Sequence, residues 1–258
     1  MLEKWFATVV LASAMYGLIS PLVYARRLQF LSAASSHSAL LAVLLSIPLS
    51  AYLPSYISAI LIGLVLIYSV GYAINRGVEP NTATSILVSF TASTSVLVMY
   101  FVITHYEIAT DIWAMILGDP LLVTWNDLKF LSVVTAFVIL VTVLTYREQF
   151  HIGFDRDCAT LAGINVRLYD LAFYTVLGIS TVAMLKVVGF VLQHVLILLP
   201  CAIAMKFARG SKGLIVYSVV ISVIASILGL AISLTLNLSP SGVIGLVMFT
   251  FYLIGWLK

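Results

Sequence analysis

The stretch Leu214-Ile-Val-Tyr-Ser-Val-Val-Ile-Ser-Val-Ile-Ala-Ser-Ile-Leu-Gly-Leu-Ala-Ile-Ser-Leu-Thr-Leu236 contains no charged residue. A transmembrane α-helix needs about 20 mainly apolar residues to cross the hydrocarbon core of a bilayer. This run is long enough to cross, and other apolar runs of the same kind fill most of the remaining chain. We therefore predict an all-α bundle of helices embedded in lipid.

The composition of the whole chain supports this fold class. Hydrophobic residues make up 62% of the 258 residues and charged residues 9%, and the mean hydropathy is +1.16. A soluble domain carries about 25% charged residues, because its surface must face water. No segment is polar enough or long enough to form a separate soluble domain. Residues 1–258 are therefore predicted to form a single transmembrane domain.

Charged residues, prolines and glycines divide the apolar sequence into nine predicted spans. Their boundaries follow the ends of the apolar runs. The spans are Trp5–Tyr24, Ser32–Pro54, Tyr56–Ile74, Ala83–Ile103, Leu128–Tyr146, Leu168–Lys186, Phe190–Phe207, Leu214–Leu236 and Val243–Leu257. A shorter apolar piece, Ile112–Leu117, cannot cross a bilayer and is predicted to be a surface or re-entrant helix.

Loop charges set the predicted orientation. If the N-terminus lies outside and the loops alternate, ten basic residues fall inside and only two or three outside. The inside residues are Arg26, Arg27, Arg76, Arg147, Arg156, Arg167, Lys206, Arg209, Lys212 and Lys258. Cytoplasmic loops of membrane proteins carry such an excess of lysine and arginine. An odd number of spans is needed to produce it, so we predict an N-out, C-in topology.

The inside segment 151–166 is the most unusual loop, and its residues predict a short amphipathic helix. Asp155 can cap the helix N-terminus, and Asp157 would complement the helix dipole. Gly163 would end the helix, because glycine adopts positive φ without strain. A small exposed face is predicted from Phe154, Ala159 and Ala162. The helix is either a connector lying on the membrane surface or a docking element for a cytoplasmic partner.

Five blocks of sequence follow one another in an order that is typical of one family. They are Arg26-Arg27-x-x-Phe30 with Ser36-His37-Ser38-Ala39-Leu40-Leu41, Leu117-Gly118-Asp119-Pro120-Leu121-Leu122-Val123-Thr124 with Asn126-Asp127-Leu128, Phe154-Asp155-Arg-Asp157-Cys-Ala159-x-x-x-Gly163-x-x-Val166, Lys186-Val-Val-Gly189-Phe-Val-Leu-x-x-x-Leu196-Ile-Leu-Leu-Pro200-x-Ala202, and Ser239-Pro240-Ser241-Gly242. Together they resemble the membrane subunits of ATP-binding-cassette (ABC) importers for zinc and manganese, and they cover most of the chain.

This resemblance implies a type II ABC importer fold in the cytoplasmic membrane. It implies a homodimeric permease that works with two cytoplasmic ABC ATPases and an extracellular metal-binding protein. Zinc or manganese would be the transported ion, with no permanently bound cofactor, and nucleic acid is not an expected partner. The coupling segment that meets the ATPase would contain Phe154, Asp155, Asp157, Ala159 and Gly163. In the extracellular stretch, Asp119 and Asp127 are interpreted as contacts for the binding protein or as helix caps.

One departure from the family pattern affects the expected metal pathway. The family places an aspartate four residues before the early histidine, so that both lie on one helix face. Here that position is Ala33, while His37 remains. An ionisable side chain inside a membrane span indicates a pathway, although His37 could equally be a buried residue bonded to a neighbour. His194 either forms a helix–helix hydrogen bond or belongs to the path; we hypothesise that it takes over the role of the missing carboxylate and faces His37 across the path.

The donor types lead to the predicted cargo and leave two alternatives open. Two imidazoles suit zinc better than manganese, which prefers oxygen ligands. A permease for a metal chelate, haem or cobalamin is the first alternative, because Ala33 would suit a path without a ligand for a bare ion. An intramembrane enzyme is the second. The sequence contains no Gly-x-x-x-x-Gly-Lys-Ser/Thr phosphate loop, so energy must come from a partner or from an ion gradient.

Overall fold

The computed structural model describes residues 2–106, 118 and 120–256, apart from the side chains of residues 186 and 256. Throughout these residues the regular structure is helical, so the predicted all-α fold is confirmed. The predicted short helix Ile112–Leu117 lies outside the described residues.

Nine α-helices and one short 3-10 turn follow each other in the described chain. The turn is Pro120–Leu122. The helices are α1 Leu2–Ala25, α2 Gln29–Leu49, α3 Ser55–Asn75, α4 Pro80–His105, α5 Trp125–Phe154, α6 Arg156–Leu161, α7 Val166–Ala204, α8 Ser211–Leu236 and α9 Pro240–Trp256.

Eight helical segments of the described chain are long and apolar enough to cross a bilayer. They are α1 to α5, the two halves of α7 and α8. The predicted ninth span corresponds to α9, which is shorter at 17 residues. Each predicted span therefore has a helical counterpart, and α9 is shorter than the roughly 20 residues that usually cross a bilayer.

The fifth helix extends further than its apolar run predicted. We expected the span to end at Tyr146, but α5 continues to Phe154, past Arg147 and Glu148. Charged residues mark where a helix leaves the lipid and do not by themselves end it, since both are good helix formers. The extension ends at Asp155, which caps the next helix instead.

The break between the predicted sixth and seventh spans is a single residue. Gly189 has φ 77° and ψ 165° inside α7, which no α-helical residue adopts. We call the segments before and after it α7a and α7b. A side chain at such a positive φ would be strained, and glycine avoids this cost.

Contacts with α1 show that the chain reverses direction at Gly189. Tyr16 donates its hydroxyl to the carbonyl oxygen of Ser180 in α7a, at 3.3 Å. Four residues further along α1, the hydroxyl of Ser20 accepts the backbone N–H of Cys201 in α7b, at 3.1 Å. A straight helix would carry Cys201 roughly 30 Å beyond Ser180, at 1.5 Å per residue, whereas Tyr16 and Ser20 are only about 6 Å apart. Segments α7a and α7b therefore lie antiparallel.

The centre of the bundle consists of α1, α2 and α7. In these helices about two thirds of the residues in the most apolar stretch are buried. Small residues allow close approach: a Cβ on Gly17 of α1 would stand 2.8 Å from the Cα of Val219 in α8. Such small-residue contacts are the usual means by which helices associate in lipid. The outer faces of α3, α4, α5 and α8 are exposed and apolar, as the lipid-facing helices of a membrane protein require.

Charge is distributed unevenly between the two ends of the bundle. One end, which we call the basic end, is marked by the contact of Arg26 and Arg156 with Asp170 and by a cleft lined by Arg76 and Arg167. The opposite end contains Gly118, Asp127 and Gly189. It is joined by hydrogen bonds from Trp5 Nε1 to the Leu121 carbonyl and from the Tyr56 hydroxyl to Asp127. The fold thus gathers these arginines at one end.

Candidate metal pathway and coupling segment

The first sequence-predicted residue of the pathway, His37, lies in α2 and is half-buried. Its neighbours are mostly buried serines and alanines, whose small side chains let other helices come close. Ala33 is also partly exposed, one helical turn before His37 on the same face. The position where the family carries aspartate therefore lies beside the imidazole, but here it supplies only a methyl group.

His194 lies in α7b, and its ring centroid is 6.0 Å from that of His37. The structure therefore brings the two intramembrane histidines together within one chain. Two imidazoles bound to one tetrahedral ion, with metal–nitrogen distances of about 2.0–2.1 Å, have ring centroids roughly 5 Å apart. The observed separation of the His37 and His194 rings is therefore about 1 Å larger than in such a complex.

A hydrogen bond defines which nitrogen of His194 could bind a metal ion. Nδ1 of His194 lies 2.9 Å from the carbonyl oxygen of Phe190, four residues earlier on the same helix. A carbonyl oxygen can only accept, so Nδ1 donates its N–H, and Nε2 is the nitrogen whose lone pair can bind a metal ion in a neutral ring. Histidines that bind metals commonly donate their other N–H to a backbone carbonyl in this way, which fixes the ring orientation.

Phe190 packs beside both histidines, and our sequence reasoning missed it. Its ring centroid is 4.8 Å from that of His37 and 4.7 Å from that of His194, both with edge-on geometry. The phenyl ring therefore covers the pair. The sequence signal that could have pointed to Phe190 is its position directly after Gly189, because the backbone of a sharp turn holds the first side chain after it in place.

Two further observations describe the chemistry around the histidines. The side-chain amide of Gln193 is fully buried, and neither its oxygen nor its nitrogen has a hydrogen-bond partner. Within residues 2–106, 118 and 120–256, no group of three or more His, Cys, Asp or Glu side chains could hold a metal ion. The histidine pair is thus a sparse donor set, as suits a passing ion that must be released again.

The predicted coupling segment begins with a defined helix cap. The carboxylate of Asp155 accepts hydrogen bonds from the backbone N–H groups of Asp157 and Cys158, both at 2.9 Å. The bond from Cys158, together with the weaker one from Asp157, lowers the pKa of Asp155 below its ordinary value. In turn, the hydrogen bond to Asp155 raises the pKa of the Cys158 thiol. The segment ends at Gly163, with φ 82°.

The exposed face of this segment differs from the prediction in one residue. Phe154 is 85% exposed, as expected, and Ala162 is exposed as well. Ala159 was predicted on the same face but is only 4% exposed, because it packs against Ile152 and Val166. Leu161 takes its place and is 88% exposed. The six-residue α6 folds back on the end of α5, and that tertiary contact decides which side is covered.

Ion pairs of Asp170 attach the predicted coupling segment to the bundle. The carboxylate of Asp170 in α7a forms ion pairs with Arg26 and Arg156, and Arg156 is the first residue of α6. Gln149 of α5 accepts a hydrogen bond from Nε of Arg26 at 2.8 Å and donates to the backbone carbonyl of Tyr169 at 3.0 Å. This network links α1, α5, α6 and α7.

At the opposite end, Asp127 acts as a helix cap. It forms a capping box with Thr124: its carboxylate accepts the Thr124 backbone N–H at 3.0 Å, and its own N–H donates to the Thr124 hydroxyl at 3.2 Å. Asp127 also accepts the hydroxyl of Tyr56 and is 8% exposed. A contact between Asp127 and a binding protein remains a prediction. Asp119 lies outside the described residues.

Gly118, from the second sequence block, contacts the turn of α7. Gly118 has φ 71°, and a Cβ there would overlap the carbonyl oxygen of Val188 and stand 2.7 Å from the Cα of Gly189. Two backbones therefore touch directly beside Phe190. This contact connects the loop at the opposite end to the histidine pair.

Comparison with known proteins adds the evolutionary context. The family model described as the ABC 3 transport family matches residues 1–258. The chain belongs to this family. The membership that the five sequence blocks predicted is thereby confirmed. With eight helical segments suited to crossing a bilayer, this ABC 3 family member is a multi-pass protein of the cell membrane.

Similar proteins align with the ABC 3 family member over nearly its full length. A probable metal transport system membrane protein from Thermotoga maritima is 26% identical over 252 residues, which are 98% of this chain and 88% of that protein. The manganese transport system membrane protein MntC from Listeria monocytogenes is 24% identical over 257 residues, which are 99% of this chain and 90% of that protein. The structure of PsaBC from Streptococcus pneumoniae in complex with Fab matches with a TM-score of 0.87 at 24% identity, covering 99% and 90%. This likeness establishes that the two chains share a fold.

Proposed function

We propose that the protein is the permease subunit of an ABC importer that moves divalent metal ions inward. The observation that carries the proposal is the intramembrane pair His37 and His194, with ring centroids 6.0 Å apart. Relatives named for metal and manganese transport support the same cargo class. The chain has no ATP-binding phosphate loop and belongs to the ABC 3 transport family, so in this proposal a separate cytoplasmic ATPase supplies the energy. The chain is thus a transport subunit and not an enzyme.

In the proposed pathway, Nε2 of His194 and a ring nitrogen of His37 provide the passing ion with two ligands. Zinc is the expected preferred ion, because imidazole suits zinc and manganese favours oxygen donors. Ala33 removes the carboxylate that would favour manganese. Since relatives are named for manganese, manganese is the competing cargo.

The proposed topology has nine crossings, with the N-terminus outside and the basic end in the cytoplasm. The arginines gathered at that end support it, because cytoplasmic loops are rich in basic residues. The coupling segment then faces the ATPase, with Phe154 and Leu161 as its exposed apolar contacts. Alternating access occurs at the interface between two copies of the chain, and an extracellular binding protein delivers the ion to the opposite end.

Uptake measurements with single variants test the pathway. His37→Ala and His194→Ala should each reduce uptake of radioactive zinc at least about tenfold, because a pair that loses one donor no longer binds the ion at two points. The measurement uses cells that express the complete importer. Each variant's level in the membrane is determined in parallel.

A matched control is His105→Ala. His105 makes the same hydrogen bond to a phenylalanine carbonyl four residues earlier, at 3.0 Å, but it is exposed at a helix end. Its uptake should equal that of the unmodified protein. Normal uptake in both pathway variants would remove the histidines from the path, and a stronger effect on manganese than on zinc would reverse the proposed ion preference.

A further inference from the structure

A cleft of about 750 Å³ opens at the basic end, between α3, α6 and the start of α7. Its lining includes Arg76, Arg156 and Arg167 together with Tyr72, Asn75 and Asn165. Pockets for small ligands usually measure roughly 300–1,000 Å³, so the volume suits a group larger than a single ion. We propose that this cleft binds the headgroup of an anionic phospholipid.

The first argument is unbalanced positive charge. Between described side chains two ion pairs form, and Asp170 is the acid in both. Neither pair includes Arg76 or Arg167. Glu79, the acid nearest to Arg76 in the sequence, is engaged in capping α4 and accepts the N–H of Thr82 at 2.7 Å. Within the described part of the chain, neither of these two guanidinium groups at the cleft forms an ion pair with a carboxylate.

The second argument is that two of the three arginines, Arg76 and Arg156, are held in place before any ligand arrives. Arg76 donates from Nε and Nη2 to the hydroxyl of Tyr72, at 3.0 and 2.7 Å, and its guanidinium lies 5.2 Å from the centre of that ring. Arg156 is fixed between Asp170 and the side-chain oxygen of Asn75, the latter at 3.3 Å. Positioned guanidinium forks match the oxygen atoms of a phosphate group.

The third argument distinguishes a lipid from a soluble anion. On α3, exposed apolar residues continue from Tyr72 towards the middle of the helix through Val65 and Leu61. On α7, the exposed side chains of Leu168 and Leu171 follow Arg167, within about one turn. The charged cleft therefore opens onto apolar surface on both sides, which suits a headgroup with its acyl chains attached. Basic pockets between membrane helices recognise anionic headgroups in this way.

Native mass spectrometry of the purified full-length permease tests the proposal. The protein is stripped of lipid and then titrated with phosphatidylglycerol or with phosphatidylcholine of the same acyl chains. The unmodified protein should retain phosphatidylglycerol in preference to phosphatidylcholine. The double variant R76Q/R167Q should bind phosphatidylglycerol at least about tenfold more weakly, since each arginine near an anionic lipid contributes about fivefold.

The matched control R147Q/R209Q removes the same charge from two exposed arginines outside the cleft and should bind normally. An equal loss in the control would show a general charge effect and overturn the proposal. So would unchanged binding in R76Q/R167Q, or displacement of the lipid by excess inorganic phosphate. If R76Q/R167Q keeps its lipid but no longer co-purifies with the ATPase, the cleft is a protein contact instead. The single variant R167Q, with about a fivefold loss, replaces the double variant if the latter fails to fold.

Discussion

At the scale of single residues, Gly118 shows how the absence of a side chain allows two backbone segments to touch. Gly118 combines a left-handed φ of 71° with direct contact to the backbone of Val188 and Gly189. The turn that it supports presents Phe190 to the two histidines. Gly118 thus contacts the turn directly before Phe190, next to the proposed pathway.

Gly118→Ala should therefore destabilise the protein strongly. The left-handed conformation costs about 1–2 kcal/mol for a side chain, and the overlap with the Val188 carbonyl adds roughly 1–3 kcal/mol. Thermal unfolding in detergent, read by intrinsic fluorescence, measures the change. Gly77→Ala is the control, because Gly77 has φ 91° and open space around its Cα. Equal unfolding temperatures for the two variants would show that the contact with Val188 is unimportant.

At the scale of elements, the short helix α6 depends on its cap and on its neighbours. Six residues are too few for an isolated helix to be stable in water. The Asp155 cap, the buried side of Ala159 and the ion pair of Arg156 with Asp170 supply the missing stability. A helix held from three sides can transmit a push from a partner without unfolding.

The cap should give α6 a pH dependence of known sign. Hydrogen bonds from the backbone hold the pKa of Asp155 below its ordinary value, so the stabilisation is complete above the ordinary pKa of about 3.9. It is lost as the pH falls through the lower pKa of the folded state. As the pH falls through this lower pKa, hydrogen exchange of the 156–161 amides, corrected for intrinsic rates, should accelerate.

Two substitutions separate the cap from the charge. Asp155→Asn should keep the helix protected, without the loss at low pH, because asparagine also caps well. Asp155→Ala should lose protection at every pH. If the alanine variant is protected as well as the unmodified protein, the cap is not what stabilises α6.

At the scale of the whole molecule, the reversal at Gly189 determines which helices face lipid. Because α7a and α7b lie antiparallel beside α1, the long apolar sequence of α7 remains in the centre of the bundle. The exposed apolar faces belong to α3, α4, α5 and α8. The same reversal keeps the basic residues at one end, as the proposed topology requires.

The two cysteines offer a direct test of that topology. Both are free; Cys158 is exposed on α6, and Cys201 is buried. A membrane-impermeant maleimide should label the protein in inverted vesicles and not in intact cells, because α6 is expected to face the cytoplasm. Labelling requires mildly alkaline buffer, since Asp155 raises the pKa of the Cys158 thiol. Cys158→Ser should abolish the signal, and labelling in intact cells would contradict the N-out topology.

Local patterns predicted much of the fold and part of the site. Runs of apolar residues gave the spans, and the spacing of Asp155 and Gly163 gave the start and end of a helix. Both depend on residues close together in the sequence. The predicted exposure of Ala159 was wrong, because a six-residue helix has no periodicity long enough to indicate its covered side.

The amino-acid sequence alone determined that this protein is embedded in lipid, that its helices cross the bilayer repeatedly, and that it belongs among ABC transport proteins. Hydropathy, loop charge and ordered motifs are properties of the chain itself. Only the tertiary structure decided that Phe190 covers His37 and His194, and that Asp170 joins Arg26, 144 residues away, to the coupling segment. Such contacts follow from how helices pack and where α7 reverses, and no local pattern encodes the distance between two residues on different helices.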